Sequence, residues 1–423
     1  MKTRCALLVL ALTVLTAPCL HAAAGDTLSG HYPHRPPRTA SIDSPDYLKY
    51  APDRTIQIRH LALDVIPDFY MRTIRGSATL KLRVETLPAR EIKLDAVNLS
   101  VQSITASAPI QAWQSTDEKL TLTFSNAISP GSEIEVTIHY TAQPREGLYF
   151  RTPQMGYKDG DTHLFSQGEE TEARNWYPCL DAPNQMCPTE LTCRVPEGMT
   201  VISNGRLVSQ TNDPATRLVA FHWTQEKPHA NYLVSLVAGY FKTLHDEVHG
   251  IPIAFHTLPS DSQNAASSFR DTRDMIEFFE KTTGVPYPWA KYDQTCVNDF
   301  VAGGMENTSA TTLTDTTLFP PETGNLRNSE GLVSHELAHQ WFGDLVTCKD
   351  WSHVWLNESF ATYYESLYNE HKNGHDAFLY ELYERRRELV NNTDDTPIVR
   401  RDYATTGDMF GYLTYPKGSM VVH

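Results

Sequence analysis

The chain has 423 residues, enough for two or three domains with cores of their own. Hydrophobic residues make up 40% and charged residues 21%, the balance of an ordinary globular protein. A formal net charge of -15 argues against a nucleic-acid protein, which needs a basic footprint.

In chain order, Met1–Arg4 is a short basic start and Cys5–Leu20 an apolar run too short and too early for a good membrane span. His21–Gly25 offers small residues for a signal-peptidase cut after Ala24. Residues 1–24 are therefore expected to be a secretory signal, and the protein to be exported, periplasmic or secreted, with no membrane span once the signal is removed. An uncut membrane anchor is the alternative. Residues 25–46 are rich in Pro, Ser and Gly and read as a linker or mobile arm.

From residue 47 to 247 the pattern is β. Ala78, Leu80, Leu82 and Val84 alternate with polar residues, and so do Ile134, Val136, Ile138 and Tyr140. Turn residues separate such runs, which predicts an antiparallel β-sandwich or open β-saddle. From 248 to 423 the period changes. Asn264–Gly284 reads as a helix ended by its glycine, and further helices are expected around Ser329–Asp344, Leu356–Lys372 and Asp376–Asn391. A short strand over Thr295–Gly303 leads into the Gly303–Asn307 segment, GGMEN. The second domain is therefore α+β.

The second of these helices matters most chemically, since Ser329–Asp344 contains a His-Glu-x-x-His run. His335 and His339 are four apart, so a helix stacks them on one face, where two imidazoles share one zinc ion. Glu336 sits one residue round, placed to flank the ion without binding it and to activate a water. A catalytic zinc needs a third protein ligand and an open position. Glu358, nineteen residues after His339, suits a ligand from a second packed helix, and Glu365, two turns on, suits an orienting partner. The bland alternative is a surface helix with two solvated histidines.

Taken together, HELAHQWFGDLVT, WLNESFATYYE, GGMENTSATTLTD, SQGEETEARNWYPCLDAPN and YPKG resemble the aminopeptidase N family of zinc metallopeptidases, gluzincins whose third ligand is a glutamate. The resemblance spans Ser166 to Gly418, with the motifs in family order. It implies a β-saddle followed by a thermolysin-like catalytic domain, one zinc ion, and peptide substrates with a free N-terminus. It implies release of N-terminal residues by attack of a zinc-activated water. It places Glu336 as the base and Tyr415 as the phenol that steadies the oxyanion, with Tyr412 close enough to compete. It makes Glu306 and Glu169 the two carboxylates that hold the substrate's α-ammonium, and Gly303 and Gly304 the points where the substrate backbone approaches a strand edge. Ala302 lies where the first side-chain pocket is shaped.

Three departures or alternatives bear on this reading. The chain stops at His423, eight residues after Tyr415, whereas family members continue, so the catalytic domain is expected to be incomplete. A non-catalytic peptide-binding fragment is therefore one alternative. Epoxide hydrolysis of the leukotriene hydrolase type is another, disfavoured because that enzyme carries glutamine where Glu169 stands. Beyond the signal, Cys179, Cys187, Cys193, Cys296 and Cys348 make an odd set, with Cys179 and Cys187 either bridged or left as buried thiols. Oligomeric state is not legible in these residues.

Overall fold

The computed structural model describes residues 48–51, 55–324, 326, 328–392, 394 and 396–423; the expected signal and linker lie outside them. Among the described residues no helix is long and apolar enough to cross a membrane.

The N-terminal part is built on a seven-stranded sheet. Its order is Arg206–Asp213, Leu218–Ala230, Met186–Pro196, Ile56–Asp68, Thr73–Val84, Glu133–Ala142, Ser100–Ala106. The alternating residues Ala78, Leu80, Leu82 and Val84 are all fully buried, so the period-two pattern does mark the inner face. A three-stranded sheet (Ala89–Asp95, Lys119–Ile128, Ile110–Ser115) and a four-stranded one (Thr200–Ser203, Leu236–Gly239, His163–Ser166, Leu148–Arg151) share one core with it. One pairing departs from the antiparallel expectation. Ile56–Asp68 runs parallel to Met186–Pro196, because the long excursion between them returns the chain in the same direction.

The C-terminal part starts from a five-stranded sheet ordered Lys242–Val248, Ile251–Thr257, Tyr292–Val297, Ala310–Thr314, Gly304–Met305. Lys242–Val248 pairs along its whole length with Ile251–Thr257, so the sequence boundary at 247/248 falls at the end of this strand rather than before it. Helices α1 (Thr272–Thr283), α2 (Glu330–Ala338), α3 (Trp355–Asn373), α4 (His375–Asn391) and α5 (Gly418–Val422) follow. A core of Phe279, Trp341, Leu337, Tyr292 and Tyr368 joins α1, α2 and α3 to the sheet.

Gly284 ends α1 in the left-handed conformation (φ 70), as its position predicts. The helix itself begins later than expected. After one turn, Ala265–Ser268, the chain breaks so that Phe269 can stack on Phe255 at 4.9 Å. α2 stops at Ala338 instead of running to Asp344, and the chain turns away at Gly343 (φ 126). The strand expected over Thr295–Gly303 ends at Val297, because Asp299 takes a left-handed φ of 47. All five described cysteines are buried free thiols, so the Cys179–Cys187 bridge does not form. Cys179 instead sits at an isolated β-bridge to Asp95.

A third core cluster crosses between the two parts. Phe165, Ile202, Tyr232 and Val237 from the β-rich side pack with Val297, Phe300, Met305, Trp351 and Met409. This seam brings the Ser166–Asn184 segment to the helices that carry the histidines.

Candidate active site

α2 sets His335 and His339 on one face and α3 brings Glu358 against them. His339 Nε2 lies 3.1 Å from His335 Nε2 and 3.2 Å from Glu358 Oε2, and His335 Nε2 lies 3.5 Å from the same oxygen. Ligands of a tetrahedral zinc at about 2.0–2.1 Å stand roughly 3.3–3.4 Å apart, so the donor set and its spacing fit one such ion. Among the described residues this cluster offers three ligands, which leaves a position for water or substrate.

The second ring nitrogens are also occupied. His339 Nδ1 is 2.8 Å from the Phe342 carbonyl oxygen, and His335 Nδ1 is 3.3 Å from Glu365 Oε2. Such partners fix each ring and turn its Nε2 toward the ion. Glu365 thus stands where its helical spacing predicts. Burial opposes charge on both histidines, but the carboxylates outweigh it. Hydrogen bonds to Glu358 and Glu365 raise His335 to about 9. Burial likewise opposes ionisation of Glu358, yet the two imidazoles pull it down to about 2.

Glu336 is buried beside this group, and burial raises its carboxyl to about 8 against the pull of His335 and His339. Its place depends on Gly304. A Cβ there would lie 2.2 Å from Glu336 Oε1. Gly303 and Gly304 do stand at a sheet edge, since Gly304–Met305 is the outermost strand. The space left by the missing Gly304 side chain, however, is filled by the base and not held open for substrate.

Glu169, Glu306 and Glu358 each present an oxygen within 4.8 Å of the others. All three are buried, and one Glu169 oxygen has no hydrogen-bond partner. Burial and then the neighbouring Glu306 push Glu169 well above the usual carboxylate range. Burial also raises Glu306, partly offset by His339. Carboxylates crowded in this way favour a cation among them.

Tyr415 lies on a single π-helical turn, Leu413–Lys417, with its ring 6.2 Å from that of His335. Burial, with Glu388 and Asp394 adding to it, raises the Tyr412 phenol above its usual range. Ala302 packs on the seam cluster.

Three residues near the site carry no role in the motif reading. Tyr232 donates to Glu306 at 3.4 Å and accepts from Asn357 at 3.0 Å. Gln340 donates to the Glu306 carbonyl at 3.1 Å and accepts from Ser309 N at 2.8 Å. Asn357 and Gln340 stand inside the motifs, next to the ligands, which is the signal that singles them out. Tyr232 has no such neighbour.

Comparison with known proteins gives a consistent picture. The Peptidase M1 N-terminal domain model matches residues 50–233 and the Peptidase family M1 domain model residues 268–423. The chain is similar to a leucyl aminopeptidase of Saccharolobus solfataricus, 31% identical over 369 residues, which are 85% of this chain and 46% of that protein. It is also similar to probable aminopeptidase 1 of Sulfurisphaera tokodaii (28% over 370 residues, 85% and 45%) and to aminopeptidase M1 of Arabidopsis thaliana (29% over 381 residues, 84% and 43%). The matched stretch is thus a little under half the length of these relatives. Two models of one family cover both the β-rich part and the part that holds the histidines, and the chain belongs to peptidase family M1, the aminopeptidase N family that its motifs resemble.

Proposed function

We propose that this chain carries the active site of a zinc aminopeptidase, which releases N-terminal residues from peptides. The observation that carries the reading is the set of buried carboxylates, Glu169 and Glu306, beside the His335–His339–Glu358 cluster. An endopeptidase has no need of an anion-rich hole at a fixed distance from its metal ligands; a peptide's free α-ammonium fills it. In this reading the N-terminal part is the family's β-saddle, the C-terminal part its thermolysin-like catalytic domain, and residues 1–24 direct export.

When bound, zinc supplies Lewis acidity, polarising the scissile carbonyl and lowering the pKa of a water toward about 7. The chain's own residues do the rest. Glu169 and Glu306 hold the α-ammonium and so set which peptide bond reaches the reacting centre. Glu336, buried beside the histidines, accepts the proton of the attacking water and delivers it to the leaving amine. Tyr415 donates its phenolic hydrogen to the oxygen that gains charge. Tyr232 and Gln340 hold Glu306 in place through its carboxylate and its carbonyl.

The test is hydrolysis of a leucyl or alanyl chromogenic anilide by the 423-residue chain, with chelator, with zinc restored, and beside the N-acetylated substrate. Zinc-dependent release from the free amine alone is expected, and Glu336→Gln should lower kcat by about 10²–10⁴-fold. Equal release from the acetylated substrate, or full activity in Glu336→Gln, would overturn the reading.

A further inference from the structure

The turn at residues 298–302 enters the edge strand that leads to Glu306; Asn298 Nδ2 donates to Asp315 within its own domain at 3.0 Å, and the other domain supplies a dense set of further contacts. Arg151, buried in the β-rich part, donates from Nε to the Asn298 carbonyl at 3.0 Å and from Nη2 to the Asp299 carbonyl at 2.6 Å. Its Nη1 donates to Phe150 O at 3.1 Å. The guanidinium lies over the rings of Phe165, Tyr157 and Tyr149, at 5.0, 5.7 and 5.9 Å. The Tyr157 hydroxyl donates to the Asp299 carboxylate, His163 Nε2 accepts from Asn298 N at 3.3 Å, and Phe165 meets Phe300 edge-on at 5.4 Å.

These contacts converge on a residue in the left-handed backbone region. Asp299 has φ 47, in the left-handed region, which aspartate tolerates better than most non-glycine residues. A few residues later Gly303 O accepts from Thr314 N at 3.0 Å, and Gly304–Met305 pairs with Leu313 and Thr312. The path from the clamp to Glu306 is therefore short and hydrogen-bonded. A guanidinium suits the task because its planar fork bonds two successive carbonyls while its faces lie on aromatic rings; an ammonium cannot do both.

We infer that Arg151 is a positioning residue for the amine site: from the β-rich domain it fixes the 298–302 turn, and through it the strand that carries Glu306. This rests on the proposed aminopeptidase reading. Arg151 touches neither the metal ligands nor Glu336, so its loss should misplace the α-ammonium anchor and leave the chemical step intact. An anchor of this kind holds ground state and transition state alike, and its disturbance appears in KM.

The experiment compares the zinc-loaded full chain with Arg151→Lys and, as a milder variant on a more exposed side chain, Tyr157→Phe. Kinetics on the leucyl anilide are read together with amide hydrogen exchange over residues 298–306 and over α2. Arg151→Lys should raise KM about tenfold with kcat within about twofold, and speed exchange in 298–306 while α2 is unchanged. Tyr157→Phe should move both readouts the same way by less. Unchanged KM and exchange in Arg151→Lys, or loosening of both domains with parallel loss of kcat and zinc, would each overturn the inference. If the unsubstituted chain releases no anilide, the aminopeptidase reading is what has failed. Exchange then still decides whether Arg151 fixes the turn: local speeding sustains that, and none removes it.

Discussion

A methyl group at Gly304 would land on the carboxylate assigned as the general base, 2.2 Å from Oε1. No rotamer adjustment of alanine relieves this, since a Cβ is fixed by the backbone. Either Glu336 swings away or the edge strand moves, and Glu306 lies two residues further along that strand's path. Gly304→Ala is therefore expected to lower kcat by about 10²-fold, the scale of a 1 Å misplacement, with zinc content unchanged because His335, His339 and Glu358 are untouched. Retained kcat in a folded, zinc-loaded Gly304→Ala would show that Glu336 does not need this position. The motif reading places this glycine at the site but for another reason, backbone access, because only the folded chain brings α2 across the edge strand.

Helix α3 carries Glu358 on one turn and, with Ser359, also seats the segment that bears Tyr415. Ser359 Oγ donates to the Thr414 carbonyl at 2.6 Å, and a Cβ on Gly418 would come within 1.9 Å of Ser359 Oγ. The glycine of YPKG thus lets the π-turn and α5 lie directly on α3. Gly418→Val should wedge them apart and lower kcat at least about tenfold, while zinc content and KM change little; kcat equal to the unsubstituted chain would exclude this packing as the support for Tyr415. At this scale much was legible. Period-two runs such as Ala78–Val84 mark real strands because one face is buried, and Gly284 marks a real helix end because it alone adopts φ 70 without cost. His335, His339 and Glu358 were legible because helical spacing turns sequence distance directly into a shared face. The overrun of α2 past Ala338 and of the strand past Val297 has a different origin. Tertiary contacts at Gly343 and Asp299 override local propensity there. Tyr232 and Arg151 meet their partners across the seam, more than 70 positions away in sequence, and no local pattern encodes that approach.

The two parts of the molecule meet through neutral, buried histidines, and this makes the seam sensitive to acid. His163 stands between the Asp161 carbonyl, 2.7 Å from Nδ1, and the Asn298 amide, which donates to Nε2. Burial, with Arg151 adding repulsion, lowers it from 6.5 to about 4, while Asp161 and Asp299 oppose the shift. His229 bridges Thr189 on one side and Thr308 on the other, and burial lowers it to about 3. In the unfolded chain each imidazole takes up a proton near pH 6.5; in the folded chain it resists until far lower. Between those values the unfolded state binds more protons, so stability is complete above about pH 6.5 and falls as pH drops toward 4. At about 1.4 kcal/mol per pKa unit, His163 alone accounts for roughly 3 kcal/mol of that loss. Denaturant midpoints measured at pH 7 and pH 5 should therefore differ less in His163→Gln than in the unsubstituted chain, because glutamine carries no proton to gain. Protonation at Nε2 would also displace the Asn298 amide hydrogen, so hydrogen exchange over 298–306 should quicken at pH 5 before α2 responds. An identical pH dependence in both chains would place the acid-sensitive groups elsewhere than this crossing.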